Sequence, residues 1–176
     1  MPVAGDIEIV QFNDPRVQHL TEAGYVVVGE SWGARLRLSD PPDLSALNAA
    51  VVAATEQAFL IQELDASWAL QVTALEALNY ADYPYTPATE VPHRDEADVL
   101  ELWRSGCRLF GAIDDRQLVA VSVISLTAER GETEFTSVHP SYRRRGLAVV
   151  VKAASIMAIA DGGVRVFGTG GAQVNA

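Results

Sequence analysis

The chain is predicted to fold as α/β (α+β), a single mixed and mostly antiparallel sheet flanked by helices. Three observations carry this. Residues 107–113, 117–126 and 132–138 are rich in apolar and β-branched side chains. Short turns around Asp114-Asp115 and Glu129-Arg130-Gly131 separate them, so they read as successive antiparallel strands. The third runs through His139-Pro140-Ser141, which is turn chemistry, into an Ala-rich helix that reaches about Ala160. Asp161-Gly162-Gly163 stops that helix, and residues 164–167 follow as a short buried strand.

The earlier elements follow in order. Residues 2–12 hold Ile7, Ile9 and Phe12 in rough alternation and are expected to form a short strand. Asp14-Pro15 caps a short helix that runs to about Ala23, with Gly24 as its stop. Residues 25–29 and 32–38 are strand candidates, with Leu36 and Leu38 on one face. Ser39-Asp40-Pro41-Pro42-Asp43 breaks and caps the chain before a helix predicted over 44–63, with Leu44, Leu47, Val51, Ala54, Ala58 and Ile61 at helical spacing. Residues 65–80 form a second helix with Trp68, Val72 and Leu75 in the core. Residues 79–92 form a loop with three tyrosines and three prolines. Residues 94–105 give another helix, with Val99, Leu102 and Trp103 inward.

Composition narrows the class. At 176 residues and 49% apolar content the chain suits one domain with a real core. No apolar run has membrane-spanning length, and the first residues lack a basic and then apolar leader pattern, so no membrane partner and a cytoplasmic location are expected. The single cysteine, Cys107, excludes an internal disulfide and is expected to be inert. A net charge of −10 disfavours nucleic acid. The scattered histidines and lone cysteine make no metal cluster, and no phosphate-binding Gly-x-x-x-x-Gly-Lys-Ser/Thr is present. The charge is uneven: residues 143–152 carry four of the thirteen basic side chains and no acid.

That basic stretch is the predicted ligand site. A strand, a Gly-bearing loop and a helix start present unpaired amides and the positive end of the helix dipole to an anion. Gly146 allows close backbone approach, and Arg143, Arg144 and Arg145 add forked donors. An arginine triplet alone reads better as a solvated helix start. The strand before it and the glycine within it favour a phosphate or pyrophosphate ligand.

The same residues resemble the signature of the GNAT N-acetyltransferase superfamily, Gln/Arg-x-x-Gly-x-Gly/Ala after a strand ending in Val-x-Pro. Here it is Arg143-Arg144-Arg145-Gly146-Leu147-Ala148 after Val138-His139-Pro140. Thr169 and Asn175 resemble the family's Thr-x-Asn-x-x-x-Asn, with Gly171 at the first Asn. The resemblance covers roughly residues 34–175, with 34–38 and the following helix as the first strand and helix. It implies acetyl-CoA as co-substrate. Ser137, Val138, Arg143, Arg144, Arg145, Gly146, Leu147, Ala148 and Asn175 would bind it, and no metal would be needed.

The family continues past this point with a helix, a Gly-Phe or Gly-Tyr and two strands. Residues 14–30 resemble those last elements, so residues 1–33 are expected to be an extension and 34–176 the acetyltransferase-like domain. The extension's strand is expected beside 164–167, completing the sheet in cis or in trans in a homodimer. The helix that often carries a proton-donating tyrosine has no counterpart by motif.

Acyl transfer to an amine needs a proton acceptor, and strand alternation puts Glu132, Glu134, Thr136 and Val138 on one face. Counting back from Arg143, Glu132 falls where one branch of the family has its catalytic glutamate, and Glu134 is the second candidate. Taken alone, each reads slightly better as a solvent-facing edge glutamate. Tyr80, Tyr83 and Tyr85 are candidates for the acceptor cleft. The expected activity is transfer of an acetyl or other acyl group to a primary amine of a small molecule or protein. The alternatives are a non-catalytic CoA-binding module and a structural half of a larger assembly.

Overall fold

The computed structural model describes residues 7–83 and 93–173. The described residues group into a small unit, 7–32 with 171–173, and a larger one, 33–83 with 93–170.

In the small unit, helix α1 (Arg16–Glu22) starts where Asp14 accepts the Arg16 N–H at 2.9 Å. It ends at Gly24, whose φ of +94° suits a residue without Cβ. There the Tyr25 N–H closes back on the Leu20 carbonyl at 3.0 Å. Among the described residues the strands expected within 2–12 and 25–29 are not seen: neither residues 7–11 nor 25–30 have regular structure, and Ile9, Val26 and Val27 stand in solvent. Both stretches have strand-forming side chains. Strand preference is realised only by packing against a neighbour, which these residues lack. The Glu30 carbonyl accepts the Gln173 N–H at 2.9 Å, and the Trp32 ring lies over Gly171.

The larger unit is built on a six-stranded sheet in the order β1-β6-β5-β4-β3-β2. Its strands are β1 (Ser31–Arg37), β2 (Leu60–Leu64), β3 (Arg108–Asp114), β4 (Gln117–Leu126), β5 (Arg130–Val138) and β6 (Val166–Ala172). Strands β2 to β5 pair antiparallel, and β5 and β6 run parallel. A parallel pair needs a crossover, and helix α5 (Leu147–Ala160) is that crossover. Between β3 and β4, Asp115 and Arg116 both have positive φ, as a two-residue hairpin turn requires.

Two expectations about the first strands are corrected. Residues 34–38, likened above to the domain's first strand, are not neighbours of β3. They lie in or next to β1, on the far edge against β6, where the Leu38 N–H donates to the Arg165 carbonyl at 2.8 Å. This is the place assigned above to a strand from residues 14–30. The strand beside β3 is instead β2, inside the stretch read as the end of a 44–63 helix.

Helix α2 (Ser45–Glu56) stops because Ala58 turns left-handed, with φ of 66°. Glycine or asparagine usually marks such a stop, and an alanine there hides it. The reversal drives Phe59 into the core at 5% exposure.

Helices α3 (Ala69–Asn79) and α4 (Glu96–Arg104) cover one face of the sheet, through Val72, Leu75 and Val99 against Leu109, Val121, Val123 and Phe135. Asp95 and Asp98 cap α4 reciprocally. Helices α2 and α5 cover the other face, where Ala54, Phe59, Leu147, Val150 and Val151 meet Ala112, Val119 and Ala120. Strand β4 is buried without a break from residue 118 to 124 because helices lie on both sides of it.

The exposed Ala58 gives the first prediction. A left-handed alanine costs about 1–2 kcal/mol that glycine does not incur. Ala58→Gly should therefore raise stability by up to ~1 kcal/mol, after the entropy of the freer unfolded chain is subtracted. Urea unfolding would register this as a higher midpoint at an unchanged slope.

Candidate active site

The parallel pairing of β5 and β6 is brief. Arg130, Gly131 and Glu132 face Val166, Phe167 and Gly168, and beyond these three pairs the two strands part. On its other side β5 stays paired to β4 as far as Val138, opposite Ala120. The stretch from Thr133 to Val138 thus has no β6 partner along one backbone edge, the side taken as the gap, and unpaired backbone groups at such an edge need partners.

A bulge in β5 resets which side chains look where. Val123 is opposite Phe135 and Ile124 is opposite Thr133, so Glu134 has no partner. This corrects the alternation that placed Glu132, Glu134, Thr136 and Val138 together. Glu132, opposite Ser125, shares the α3/α4 face with Phe135 and Ser137. Thr133, Thr136 and Val138 look toward α5. Glu132 lies over Gly168, where a Cβ would collide with its carboxylate. That carboxylate pairs with Arg130 at 3.2 Å and Arg35 at 3.5 Å. Glu134 is exposed and has no ion pair among the described residues.

The loop after β5 sits at the mouth of the gap. Pro140–Tyr142 make one tight turn, braced by the Tyr142 hydroxyl donating to Asp114 at 2.9 Å. Arg144 and Gly146 then take positive φ, 64° and 78°, and α5 starts at Leu147 rather than at Arg143. Main-chain hydrogen bonding lapses after the Arg143 N–H and resumes with the Val149 N–H on the Gly146 carbonyl at 3.0 Å. The amides of residues 144–148 have no main-chain acceptor among the described residues. A Cβ built on Gly146 meets nothing within 4 Å, so its outer side is open. Leu147 anchors the helix start in the core at 1% exposure.

The three arginines take different places. Arg145 stacks on the Tyr142 ring, 5.1 Å from its centroid. Arg144 has no ion pair among the described residues. Arg143 turns away from the loop amides: its guanidinium donates to the Asn79 side chain and the Asp82 carboxylate, and its Nε to the Val138 carbonyl at 3.4 Å.

Beneath that contact lies a buried polar cluster of which motif reading named Ser137 and Tyr83 but missed Glu76, Asn79 and Arg94. Glu76, Asn79 and Ser137 are 6%, 5% and 3% exposed. The Glu76 carboxylate accepts from Arg94 at 3.1 Å, from Tyr83 at 3.3 Å and from Ser137 at closer range. Arg94 in turn lies over the Phe135 ring at 4.4 Å. Ser137 therefore spends its hydroxyl on the α3 side and offers the gap only its main chain. Burial raises the Tyr83 pKa above its ordinary value, keeping it a hydrogen-bond donor. Its signal in the sequence was the continuation of the Val72 stripe by Glu76 and Asn79 at helical spacing. Tyr80 is exposed, with its ring 5.2 Å from His93. Tyr85 and Asn175 lie outside the described residues. Among those residues no side-chain group could hold a metal ion, and no helix is long and apolar enough to cross a membrane.

From α5, Lys152 reaches Thr169, one residue past the last β5–β6 pair, at 3.0 Å. It has no carboxylate partner among the described residues, and burial lowers its pKa.

A family model described as the acetyltransferase (GNAT) family matches residues 73–167, more than half of the chain. The chain belongs to this family. The match starts in α3 and ends in β6, so it takes in the gap, the loop and the buried cluster. No curated protein sequence matches the chain. Among solved structures, the ribosomal-protein-S18-alanine N-acetyltransferase of Escherichia coli superposes with a TM-score of 0.50 at 16% identity. The match covers 60% of this chain and 62% of that one. A functionally unknown conserved protein from Staphylococcus epidermidis reaches 0.58 at 13% identity, over 93% of this chain and 59% of its own. The C-terminal domain of a putative lysylphosphatidylglycerol synthetase from Agrobacterium fabrum also reaches 0.58, at 10% identity over 89% and 51%. The chain thus spans less than two thirds of the length of each of these three structures. At these identities the likeness is one of fold.

Lys152 supplies a prediction with a definite sign. A lowered folded pKa means that the unfolded state holds the proton more tightly. Below the folded pKa the cost of burying the charge is present in full, and it is relieved as pH rises from there toward the unfolded value. Lys152 should therefore make stability climb through that window. Lys152→Met should be at least as stable as the parent at pH 7 and lack the alkaline climb, as denaturant midpoints at pH 7 and pH 10 would show. An equal climb in both proteins would rule Lys152 out as its source.

Proposed function

We propose that this protein is an N-acyltransferase that moves an acetyl group from acetyl-CoA to a primary amine of a small molecule or a protein. The observation that carries the reading is the coincidence of two features. The run of acceptor-free amides at residues 144–148 stands at the start of α5, and the gap between β5 and β6 opens directly beside it. The amides and the helix dipole suit a pyrophosphate, and the open side of Gly146 leaves room for one. Arg144 is the forked donor of the triplet that has no ion pair among the described residues. The exposed backbone edge of residues 133–138 offers hydrogen bonds to an extended amide-bearing chain, as a neighbouring strand would.

The chemistry then falls to few groups. The amine must be neutral when its nitrogen attacks the thioester carbon. As the N–C bond forms and the C–S bond breaks, the amine proton must leave and the thiolate must gain one. Glu134, at the bulge in the open stretch and without an ion pair, is our choice to accept the amine proton through water. Glu132 is already held by two guanidinium groups and serves better as a fixed part of the strand junction. A main-chain N–H on the freed edge near Val138 is the donor for the carbonyl oxygen. Tyr80, Tyr83 and Tyr85 belong to the acceptor side, and Asn175 to the cofactor side. Residues 34–176 form the acyltransferase domain, residues 1–33 precede it, and the protein works in the cytoplasm.

Two measurements test this. Acetyl-CoA turnover over a panel of amines should reveal an acceptor, whereas calorimetric CoA binding without turnover would demote the protein to a binding module. Gly146→Val should weaken CoA binding at least tenfold, about 1.4 kcal/mol, because the new side chain occupies the open cradle. It should lower stability by about 1–2 kcal/mol through its left-handed φ. A folded Gly146→Val protein with unchanged CoA affinity would remove the loop from the site.

A further inference from the structure

Arg143 heads the arginine triplet, yet it is the arginine whose side chain is committed elsewhere. Its guanidinium holds the Asn79 side-chain carbonyl and the Asp82 carboxylate, the end of α3 and the turn after it. Its Nε holds the last carbonyl of β5, that of Val138. One planar fork thus joins the cofactor loop, the β5 edge and the segment 79–83. That segment also presents Tyr83 to Glu76 and Ser137. Asn79 is buried, and its amide nitrogen finds no partner among the described residues. Its orientation is set because only the carbonyl end can accept from Arg143. An asparagine kept buried with one unmet donor is costly, and Arg143 is what gives its other end a use.

We infer that Arg143 is a positioning residue rather than a phosphate ligand: it ties the segment 79–83 to the cofactor loop, so that filling the loop orders the acceptor side. This rests on the N-acyltransferase reading above for the identity of the loop's ligand. The physical reason is geometric. Nη2 of the guanidinium is committed to Asn79 and Asp82 and Nε to the Val138 carbonyl, which leaves only Nη1 without a partner among the described residues, so anion binding falls mainly to the loop amides and to Arg144. Any tightening of the loop around an anion is passed through the rigid guanidinium to the end of α3. Asp82 opposes Arg143 across a solvent-accessible pair, so the tie weakens in salt.

The test uses the full chain and four variants: Arg143→Gln, Arg143→Lys, Asp82→Asn and Arg144→Gln. Calorimetry with acetyl-CoA at low salt should place Arg143→Gln and Asp82→Asn within about twofold of the parent, while Arg144→Gln loses about threefold or more. Hydrogen exchange is the second readout. In the free parent, peptides covering residues 77–83 should exchange more slowly than in Arg143→Gln or Asp82→Asn, and added acetyl-CoA should slow them further only in the parent and in Arg144→Gln. Arg143→Lys should rescue little, since an ammonium cannot span both acceptors and the Val138 carbonyl. An affinity loss in Arg143→Gln as large as that in Arg144→Gln would make Arg143 a phosphate ligand and overturn the inference. So would exchange in 77–83 that ignores the Arg143 and Asp82 substitutions. A parent that binds no acetyl-CoA would count against the proposed function, and the exchange of the free proteins would still decide the tie.

Discussion

Parallel pairing between β5 and β6 lasts for three residue pairs, and the candidate site depends on its ending there. Had the ladder continued, the backbone groups of residues 133–138 would be satisfied by β6 and closed to anything else. By parting, the strands leave an edge inside a sheet that is otherwise buried on both faces around β3 and β4. An internal edge is tolerable only where something else is to fill it. The residues at the fork fit that role. Gly168 leaves room for the Glu132 carboxylate, and two arginines from either side hold that carboxylate in place.

The loop at the mouth of the fork depends on the same arrangement. Its amides are free because Arg144 and Gly146 take left-handed conformations and because α5 starts only at Leu147. They are held in position by groups that face away from the opening: Tyr142 on Asp114, Arg145 on Tyr142, and Arg143 on Asn79 and Asp82. A preorganised set of donors loses little freedom when an anion arrives. The buried cluster of Glu76, Ser137, Tyr83 and Arg94 performs the matching task on the α3 side, fixing the end of β5 from the opposite face.

The family signature was legible because it is local. A strand, a proline turn, an arginine-glycine loop and an Ala-rich helix follow one another within thirty or so residues, and each is dictated by its own chemistry. Strands β3, β4 and β5 were legible for the same reason, since hairpin partners are neighbours in sequence. Where a signal was missing, the reading failed. Ala58 ends α2 without the usual glycine, so β2 was absorbed into a helix. Val26 and Val27 looked like a strand but have no neighbour to pair with among the described residues.

By itself the sequence determined the mixed sheet, the hairpin strands and the glycine-bearing loop before an Ala-rich helix, because these follow from residue order over short spans. Tertiary structure alone decided which strand lies beside β6, which glutamate is engaged and where Arg143 points. The bulge at Glu134 shifts side-chain parity by one residue, and no local pattern announces it. Arg143 meets Asn79 and Asp82 across more than sixty residues. The carboxylate and amide that claim its guanidinium are brought there by the packing of α3 against the sheet, and adjacent arginines in a sequence carry no mark of which one will be taken.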